Sequence, residues 1–404
     1  MHPPRAGFCL PRPHGSRTAV NRRIPALREM LAELVAIPSV SSPDPALDQP
    51  NEGVVARLAE WLEALGFAVE VLPVPDRPGK ANLVATLGRG PGGLVLAGHT
   101  DTVPFDAGRW STDPFRLTER AGRLHGLGTA DMKGFFPLVL EVAAGLDARS
   151  LRAPLVVLAT ADEESTMSGA RALAAAGRPL GRHAVIGEPT GLKPVRAHKG
   201  ILMERLRLVG RPGHSSDPAL GNSALEGMHE LLGALLAWRA ELQRQHRDPA
   251  FAVPFPTLNP GAIRGGDSPN RICGECVLDL DLRMLPGMDP QALRARLRAL
   301  AGEVAARRGL ALECEALFEG VGALATPAEA AVVRAAEALT GHAAGAVAFA
   351  TEAPFLARLG CETVVLGPGD IAQAHQPDEF LALDRIAPML QVLRGLVRRF
   401  CLEG

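Results

Sequence analysis

Residues 94 to 104 read Leu94-Val95-Leu96-Ala97-Gly98-His99-Thr100-Asp101-Thr102-Val103-Pro104. Its apolar first half predicts a buried strand, and His99 and Asp101 follow two positions apart at the end of that strand. Side chains at positions i and i+2 of an extended chain point to the same side, so this pair places an imidazole and a carboxylate in one cleft. A carboxylate beside an imidazole is the usual neighbour of a metal-binding histidine. The alternative is a structural pair at a strand end.

The bulk composition limits the classes of protein that this chain can belong to. Its 404 residues exceed the roughly 250–300 at which a single hydrophobic core stops growing, so we expect more than one domain. A net charge of −1 gives no basic field for a phosphate backbone, which argues against a nucleic-acid partner. No apolar stretch approaches the roughly 20 residues that span a membrane. The six cysteines are too dispersed for a disulfide framework, and we expect a cytoplasmic protein.

The pattern of apolar residues divides the chain into parts. Short apolar strands alternate with helical patterns before residue 192 and again after 319, which favours an α/β fold: a mixed, mostly parallel sheet flanked by helices. Between them, strands such as 200–209 alternate apolar and charged residues, which predicts an inserted two-layer α+β domain of the ferredoxin-like type; the Pro- and Gly-rich segment after residue 245 is expected to be loop. The predicted parts are a disordered leader (1–22), a catalytic domain in two pieces (23–192 and 319–404) and the inserted domain (193–318).

Acidic and imidazole side chains recur where the predicted strands end. Loops at the carboxyl ends of the strands of an open α/β sheet converge on one crevice, so we expect these side chains to meet. Two imidazoles and three carboxylates suit two divalent ions that share a bridging carboxylate. The five residues are His99, Asp131, Glu164, Glu188 and His375. Each has an ordinary alternative: a strand-end pair for His99, a helix N-cap for Asp131, a solvated turn for Glu188 and a loop histidine for His375.

The adjacent pair Glu163-Glu164 follows the apolar segment 155–160, which predicts a buried strand. Adjacent side chains after a strand point in different directions, so one carboxylate can bind a metal while the other faces substrate as a general base. Chance pairing of two surface glutamates is the alternative.

In this order, these motifs make the chain resemble the two-zinc aminoacylase/carboxypeptidase superfamily from about residue 24 to the end. The matching segments are GHTDTVP (98–104), GTADMKG (128–134), ADEE (161–164), GEPT (187–190), GHSS (213–216) and His375. Longer segments resemble the branch of this superfamily that deacetylates N2-acetyl-L-ornithine. They are VPFDAGRW (103–110), VRAHKG (195–200), SPNRIC (268–273), TEAPF (351–355) and QAHQPDE (373–379).

The resemblance implies a linear amide hydrolase of arginine biosynthesis that releases acetate from N2-acetyl-L-ornithine by metal-activated water. Its cofactors are then two divalent metal ions, Zn²⁺ or alternatively Co²⁺. His99, Asp131 and Glu188 are expected to hold one ion, with Asp131 bridging to a second held by Glu164 and His375. Asp101 is expected to orient His99, and Glu163 to act as general base and then as general acid.

The resemblance also implies that the inserted domain is a lid and a homodimer interface. His214 is then the oxyanion stabiliser in the partner's site, with a lid-surface histidine as the alternative. Asn270 and Arg283 match positions that bind the substrate's carboxylate, and Glu352 matches one that contacts its amino groups. Arg283 could instead pair with Asp281 on the same strand. The rival functions are a related deacylase, such as a succinyl-diaminopimelate desuccinylase or a broader N-acyl amino acid deacylase, and a metal-binding protein without activity.

Overall fold

The computed structural model describes residues 24–403, so the predicted leader at 1–22 lies outside the described residues. Sixteen strands are described: β1 (Ala68–Pro73), β2 (Ala81–Leu87), β3 (Leu94–His99), β4 (Thr118–Arg120), β5 (Arg123–His125), β6 (Leu155–Thr160), β7 (His183–Ile186), β8 (Val195–His198), β9 (Gly200–Val209), β10 (Thr257–Gly265), β11 (Glu275–Met284), β12 (Ala311–Val321), β13 (Leu324–Ala325), β14 (Gly345–Val347), β15 (Glu362–Val365) and β16 (Phe380–Ala382). The α-helices are α1 (Leu27–Ala36), α2 (Glu52–Ala64), α3 (Phe135–Ala143), α4 (Ser168–Ala176), α5 (Ala224–Gln245), α6 (Pro290–Arg308), α7 (Ala331–Thr340), α8 (Ala353–Arg358) and α9 (Ile386–Val397).

A nine-stranded sheet forms the main body, in the order β1-β2-β6-β3-β7-β15-β8-β13, with β14 paired to β8. At its centre β3 runs parallel to β6 and β7, and β15 runs parallel to β7. Towards the edges the pairs β1–β2, β2–β6, β15–β8 and β8–β13 are antiparallel, whereas β14 runs parallel to β8. The expected mixed α/β sheet flanked by helices is therefore confirmed, with the parallel pairs concentrated at its centre.

The central strand β3 is buried on both faces, as its unbroken apolar sequence predicts. Leu94 and Leu96 pack into the core formed with α1, α2, α3, α7 and α9. Val95 and Ala97 point the other way, into a core with residues of α4 and α8. Because both faces are covered, polar side chains of this strand can reach a cleft only at its carboxyl end, where His99 stands.

A second sheet of four antiparallel strands, in the order β10-β11-β9-β12, has α5 and α6 packed on one face. The chain leaves the nine-stranded sheet after His198 and returns to it at Leu324. Along β9, Leu202, Leu206 and Leu208 point toward the helices. Glu204 lies on the same buried face and pairs with Arg294 and with Arg298 (2.8 Å) of α6. One charged side chain of β9 is therefore buried.

Some elements differ from the sequence-based expectation. The segment Thr257–Gly265, expected to be loop, is strand β10 at the edge of the second sheet, with an irregular register between Pro260 and Ala262. An edge strand tolerates proline because its outer N–H groups have no partner strand. The short sheet β16-β5-β4 was also not expected, because its strands of three residues are too short to show a period. None of the described helices is long and apolar enough to cross a membrane.

Candidate metal centre

The parallel strands β3, β6 and β7 carry the site at their common carboxyl edge. His99 is the last residue of β3, the pair Glu163-Glu164 follows β6, and Glu188 follows β7. Asp131 lies in the loop that leads into α3, and His375 lies between β15 and β16. The structure brings all of these residues together, as the convergence of strand ends leads one to expect.

His99 is buried, with 1% of its side chain exposed, and its two ring nitrogens have different partners. Nε2 lies 3.2 Å from Asp131 Oδ1 and 3.9 Å from Glu188 Oε1. Nδ1 lies 3.0 Å from the main-chain carbonyl of Asp101. A proton on Nδ1 donated to that carbonyl leaves the Nε2 lone pair facing the carboxylates, which is the tautomer that a metal ligand requires.

Asp101 contacts His99 mainly through its main chain, whereas the sequence suggested a contact through the carboxylate. Its Oδ1 is 3.6 Å from the Nδ1 of His99, beyond hydrogen-bond length. The carboxylate accepts instead from the main-chain N–H groups of Glu163 (3.2 Å) and Glu164 (3.0 Å). Asp101 therefore joins the end of β3 to the turn that carries the two glutamates.

His375 forms the second half of the cluster. Its Nε2 lies 3.0 Å and 3.2 Å from the two carboxylate oxygens of Glu164 and 3.6 Å from Asp131 Oδ2. One oxygen of Asp131 thus faces each imidazole, which is the arrangement of a carboxylate that bridges two ions. His375 is more open than the other members, with 56% of its side chain exposed.

Divalent ions fit this donor set. Two groups of three residues each have ligand atoms within 4.8 Å of one another: His99 with Asp131 and Glu164, and His99 with Glu163 and Glu188. The Oε1 of Glu188 is buried and has no hydrogen-bond partner among the described residues. An unpaired buried carboxylate oxygen is costly, and a cation beside it would remove that cost.

The raised pKa values of the clustered carboxyl groups also favour the binding of cations. Burial, together with the charge of Glu188, raises the pKa of Glu163 well above its ordinary value. Burial, together with the charge of Asp131, likewise raises the pKa of Glu188. Negative charge is therefore concentrated in a site of low dielectric constant, where divalent cations would offset it.

Glu352 belongs to the same cleft. It precedes α8 and is 1% exposed; its Oε2 accepts a 2.6 Å hydrogen bond from the hydroxyl of Thr160, while its Oε1 has no partner among the described residues. Burial raises the pKa of Glu352 to about 7. Its charge is a smaller contribution to the raised pKa values of Glu163 and Glu188, after burial and the other carboxylates.

His214 and Asn270 lie together in the part of the chain that forms the second sheet. The main chain pairs His214 with Arg271, and the N–H of Ser215 donates to the carbonyl of Asn270 at 3.1 Å. His214 is exposed, and its Nδ1 lies 2.7 Å from the hydroxyl of Ser216. Within residues 24–403, no hydrogen bond or ion pair joins His214 or Asn270 to the strand-end cluster.

Arg283 is half-buried on β11. Its Nε donates to both carboxylate oxygens of Asp281, at 3.0 Å and 3.1 Å. The pairing considered as the alternative for Arg283 is thus present, and its role toward a substrate carboxylate stays a prediction.

Two buried acidic residues beside the cluster, Asp162 and Glu379, were not recognised as part of the site from the sequence. Asp162 precedes the glutamate pair, and its carboxylate lies 2.8 Å from Lys80 Nζ and 2.8 Å from an Arg77 guanidinium nitrogen. Burial opposes its ionisation, but the hydrogen bond to Lys80 holds the pKa of Asp162 below its ordinary value. Its position beside Glu163-Glu164 was the one available signal, since its partners are distant in sequence.

We expect Asp162→Asn to lower the free energy of unfolding by about 1–3 kcal/mol, because buried Lys80 and half-buried Arg77 then keep only Asp48 as a carboxylate partner. The low pKa of Asp162 means that folding favours its ionised form. Its contribution is therefore present above the unfolded-state pKa of about 3.9 and is lost as the pH falls through the lower folded-state value. Urea unfolding of both proteins at several pH values measures this. Asp147→Asn, in an exposed pair with Arg149, is the control, and equal stability of D162N and the parent protein would contradict the expectation.

Comparison with known proteins assigns the family. The model of peptidase family M20/M25/M40 matches residues 95–399. The chain belongs to this family. The resemblance drawn from the sequence motifs is thereby confirmed.

Relatives of this M20 family chain match it over nearly its full length. The acetylornithine deacetylase of Proteus mirabilis is 49% identical over 95% of this chain and 99% of its own length. That of Edwardsiella ictaluri is 49% identical over 95% of this chain and 100% of its own.

Solved structures share the fold at lower identity. The M20 family metallo-carboxypeptidase Sso-CP2 from Sulfolobus solfataricus has a TM-score of 0.74 and 18% identity, covering 93% of this chain and 99% of that one. The YXEP protein of Bacillus subtilis, a dinuclear metal-binding peptidase of the M20 family, has a TM-score of 0.64 and 15% identity, covering 92% and 96%. At these identities the likeness concerns the fold alone.

Proposed function

We propose that this M20 family chain is a metal-dependent amide hydrolase that converts N2-acetyl-L-ornithine into L-ornithine and acetate. The observation that carries the proposal is the 49% identity to acetylornithine deacetylases over 95% of the chain. The strand-end cluster supports it, because it retains two imidazoles and the carboxylates that such a hydrolase needs.

His99, Asp131 and Glu188 would hold one divalent ion, and Asp131, Glu164 and His375 a second. The 3.2 Å and 3.6 Å separations between the Asp131 oxygens and the two imidazoles support its role as the bridge. Zn²⁺ suits this set of nitrogen and oxygen ligands, and Co²⁺ is also accepted by such sites. When bound, the ions supply Lewis-acid activation of water and of the acetyl carbonyl.

Glu163 is the general base of the proposal. It is only half-buried, stands among the ligands and shares its turn with Glu164, so its carboxylate can take the proton of the attacking water. The same carboxyl group then gives the proton to the amine nitrogen as the amide bond breaks.

His214 is proposed to stabilise the oxyanion in the site of a second copy of the chain. Its exposure and the lack of contacts between it and the strand-end cluster in residues 24–403 favour action across a homodimer formed through the inserted domain, 193–318. That domain would also act as the lid, which excludes water when it closes over the substrate.

Three residues are proposed to bind the substrate. Asn270 and Arg283 would hold its carboxylate, for which the planar guanidinium of Arg283 is suited. Glu352 would face its amino groups, and the unpartnered Oε1 of this buried side chain supports that role.

The setting of the reaction is part of the same proposal. Ornithine released from its acetylated form feeds arginine biosynthesis, for which we propose a cytoplasmic location. The five described cysteines are all free thiols, which suits a reducing compartment.

Parallel kcat/KM measurements on N2-acetyl-L-ornithine and N-succinyl-diaminopimelate test the substrate. We expect a preference for the acetyl substrate of about 100-fold or more, because a succinyl group adds a carboxylate that needs a second anion pocket, and burying a charge without a partner costs several kcal/mol. Equal values would mean a broader deacylase. A preference for the succinyl substrate would overturn the proposal in favour of the desuccinylase.

A further inference from the structure

Glu379 is a buried carboxylate that none of the proposed catalytic steps uses. It is 2% exposed and lies one residue before β16. Three main-chain N–H groups of the loop before α3 donate to it: Gly128 to Oε2 at 2.9 Å, and Ala130 and Asp131 to Oε1 at 2.7 Å and 2.9 Å. The side chain therefore fills the centre of the loop that presents Asp131.

We infer that Glu379 is a positioning residue of the metal centre. Its carboxylate fixes the loop that carries the bridging Asp131, and its main chain ties that loop to the segment that carries His375. The inference rests on the proposed function, because it concerns the affinity of the same two-ion site.

The tie to His375 runs through a short antiparallel pairing. Phe380 of β16 lies opposite His125 of β5. Next to this pair, the N–H of Gly126 donates to the carbonyl of Glu379 at 3.1 Å. The Nδ1 of His125 lies 3.0 Å from the carbonyl of Asp378. Since His375 is only four residues before Glu379, the two halves of the cluster are fixed to one another at this point.

A carboxylate is the group that this position requires. Its two oxygens accept three hydrogen bonds, which favour the ionised form and oppose the burial that raises the pKa of Glu379 to about 8. Glutamine has one acceptor oxygen, and its NH2 group would face one of the N–H donors. The nearby Lys133 does not replace these bonds, because its Nζ donates to the carbonyls of Leu34 (3.2 Å) and Ile37 (2.8 Å).

The three hydrogen bonds to Glu379 reach the main chain of a proposed metal ligand. One of them holds the N–H of Asp131 itself, and so sets the point from which its side chain reaches the two imidazoles. Partners that orient metal ligands typically contribute about 10–100-fold to metal affinity. A merely structural role for Glu379 would instead change stability and leave the affinity of the folded protein unaltered.

The test compares E379Q, E379D and the parent protein, each stripped with a chelator and confirmed as folded by circular dichroism. Zn²⁺ affinity is measured by competition with a chromophoric chelator, and the visible absorption of the Co²⁺-loaded protein reports coordination geometry. We expect E379Q to bind Zn²⁺ about 10–100-fold more weakly and to alter the Co²⁺ spectrum. E379D keeps both oxygens on a side chain shorter by one methylene, and we expect an intermediate loss. Glu119→Gln is the matched control, an exposed glutamate of β4 in the same short sheet, and should bind as the parent does.

Each outcome decides something. Folded E379Q with the affinity and spectrum of the parent overturns the inference. If E379Q does not fold, E379D decides, and parental affinity in that variant overturns the inference equally. If the parent protein itself binds no Zn²⁺, the proposed function fails, which is distinct from a parent that binds metal and variants that bind as well as it does.

Discussion

Replacing Glu163 with Gln is expected to lower kcat for N2-acetyl-L-ornithine by about 10²–10⁴-fold, which is the usual contribution of a positioned general base. Glutamine has nearly the same shape but cannot accept the proton of water or return it to the departing amine. The two ions should stay bound, because the proposed ligands are His99, Asp131, Glu164, Glu188 and His375. The combination of retained metal and lost turnover separates a base from a ligand.

Metal content by atomic emission and kcat on fully loaded protein make this measurement. Glu329→Gln is the control, since it applies the same change to an exposed side chain. Turnover that persists in E163Q would assign the base elsewhere. Loss of both metal and activity would make Glu163 a ligand. This outcome is included because Glu163 belongs to one of the two groups of potential ligands.

Much of the site could be predicted because it stands on strand ends. The apolar sequence of Leu94–His99 marks a strand buried on both faces, and a polar residue at its end has one direction left to point. The same reasoning placed Glu164 and Glu188 beside His99. His375 was included on the same reasoning although it lies 276 positions after His99, and the family resemblance then assigned it to the second ion.

The partners of these residues could not be predicted. Glu379 reads as an ordinary loop acid, because its three hydrogen-bond donors lie about 250 residues away in sequence. The partners of Asp162 are also far away in sequence, with 85 positions between it and Arg77. For Asp101 the prediction was correct only in part. The i+2 spacing placed Asp101 beside His99, but it could not show that the main-chain oxygen, and not the carboxylate, contacts the ring.

The second sheet shows what alternation can and cannot establish. It gave the half-exposed strand Gly200–Val209 with its buried leucines, but it did not reveal that one of the charges is internal and paired. Glu204 lies on the same face as Leu202 and Leu206 and is buried there, where α6 supplies two arginines as partners. Strand β10 was missed because Pro260 and Gly261 look like a turn, and only its place at the sheet edge makes them tolerable.

Removal and return of metal test the central proposal most directly. Lewis-acid stabilisation is worth several kcal/mol and each 1.36 kcal/mol is a factor of ten, so we expect chelation to lower acetate release by about 1,000-fold or more. The protein should remain folded, because the chelator removes only the ions and not the cores that hold the two sheets.

The measurement is a titration of the stripped protein with Zn²⁺, and in parallel with Co²⁺, in which bound metal and acetate released from N2-acetyl-L-ornithine are followed together. We expect two ions to bind per chain and acetate release to return as they bind. Full acetate release by metal-free protein, or none by protein loaded with either metal, would contradict a two-ion deacetylase built on His99, Asp131 and His375.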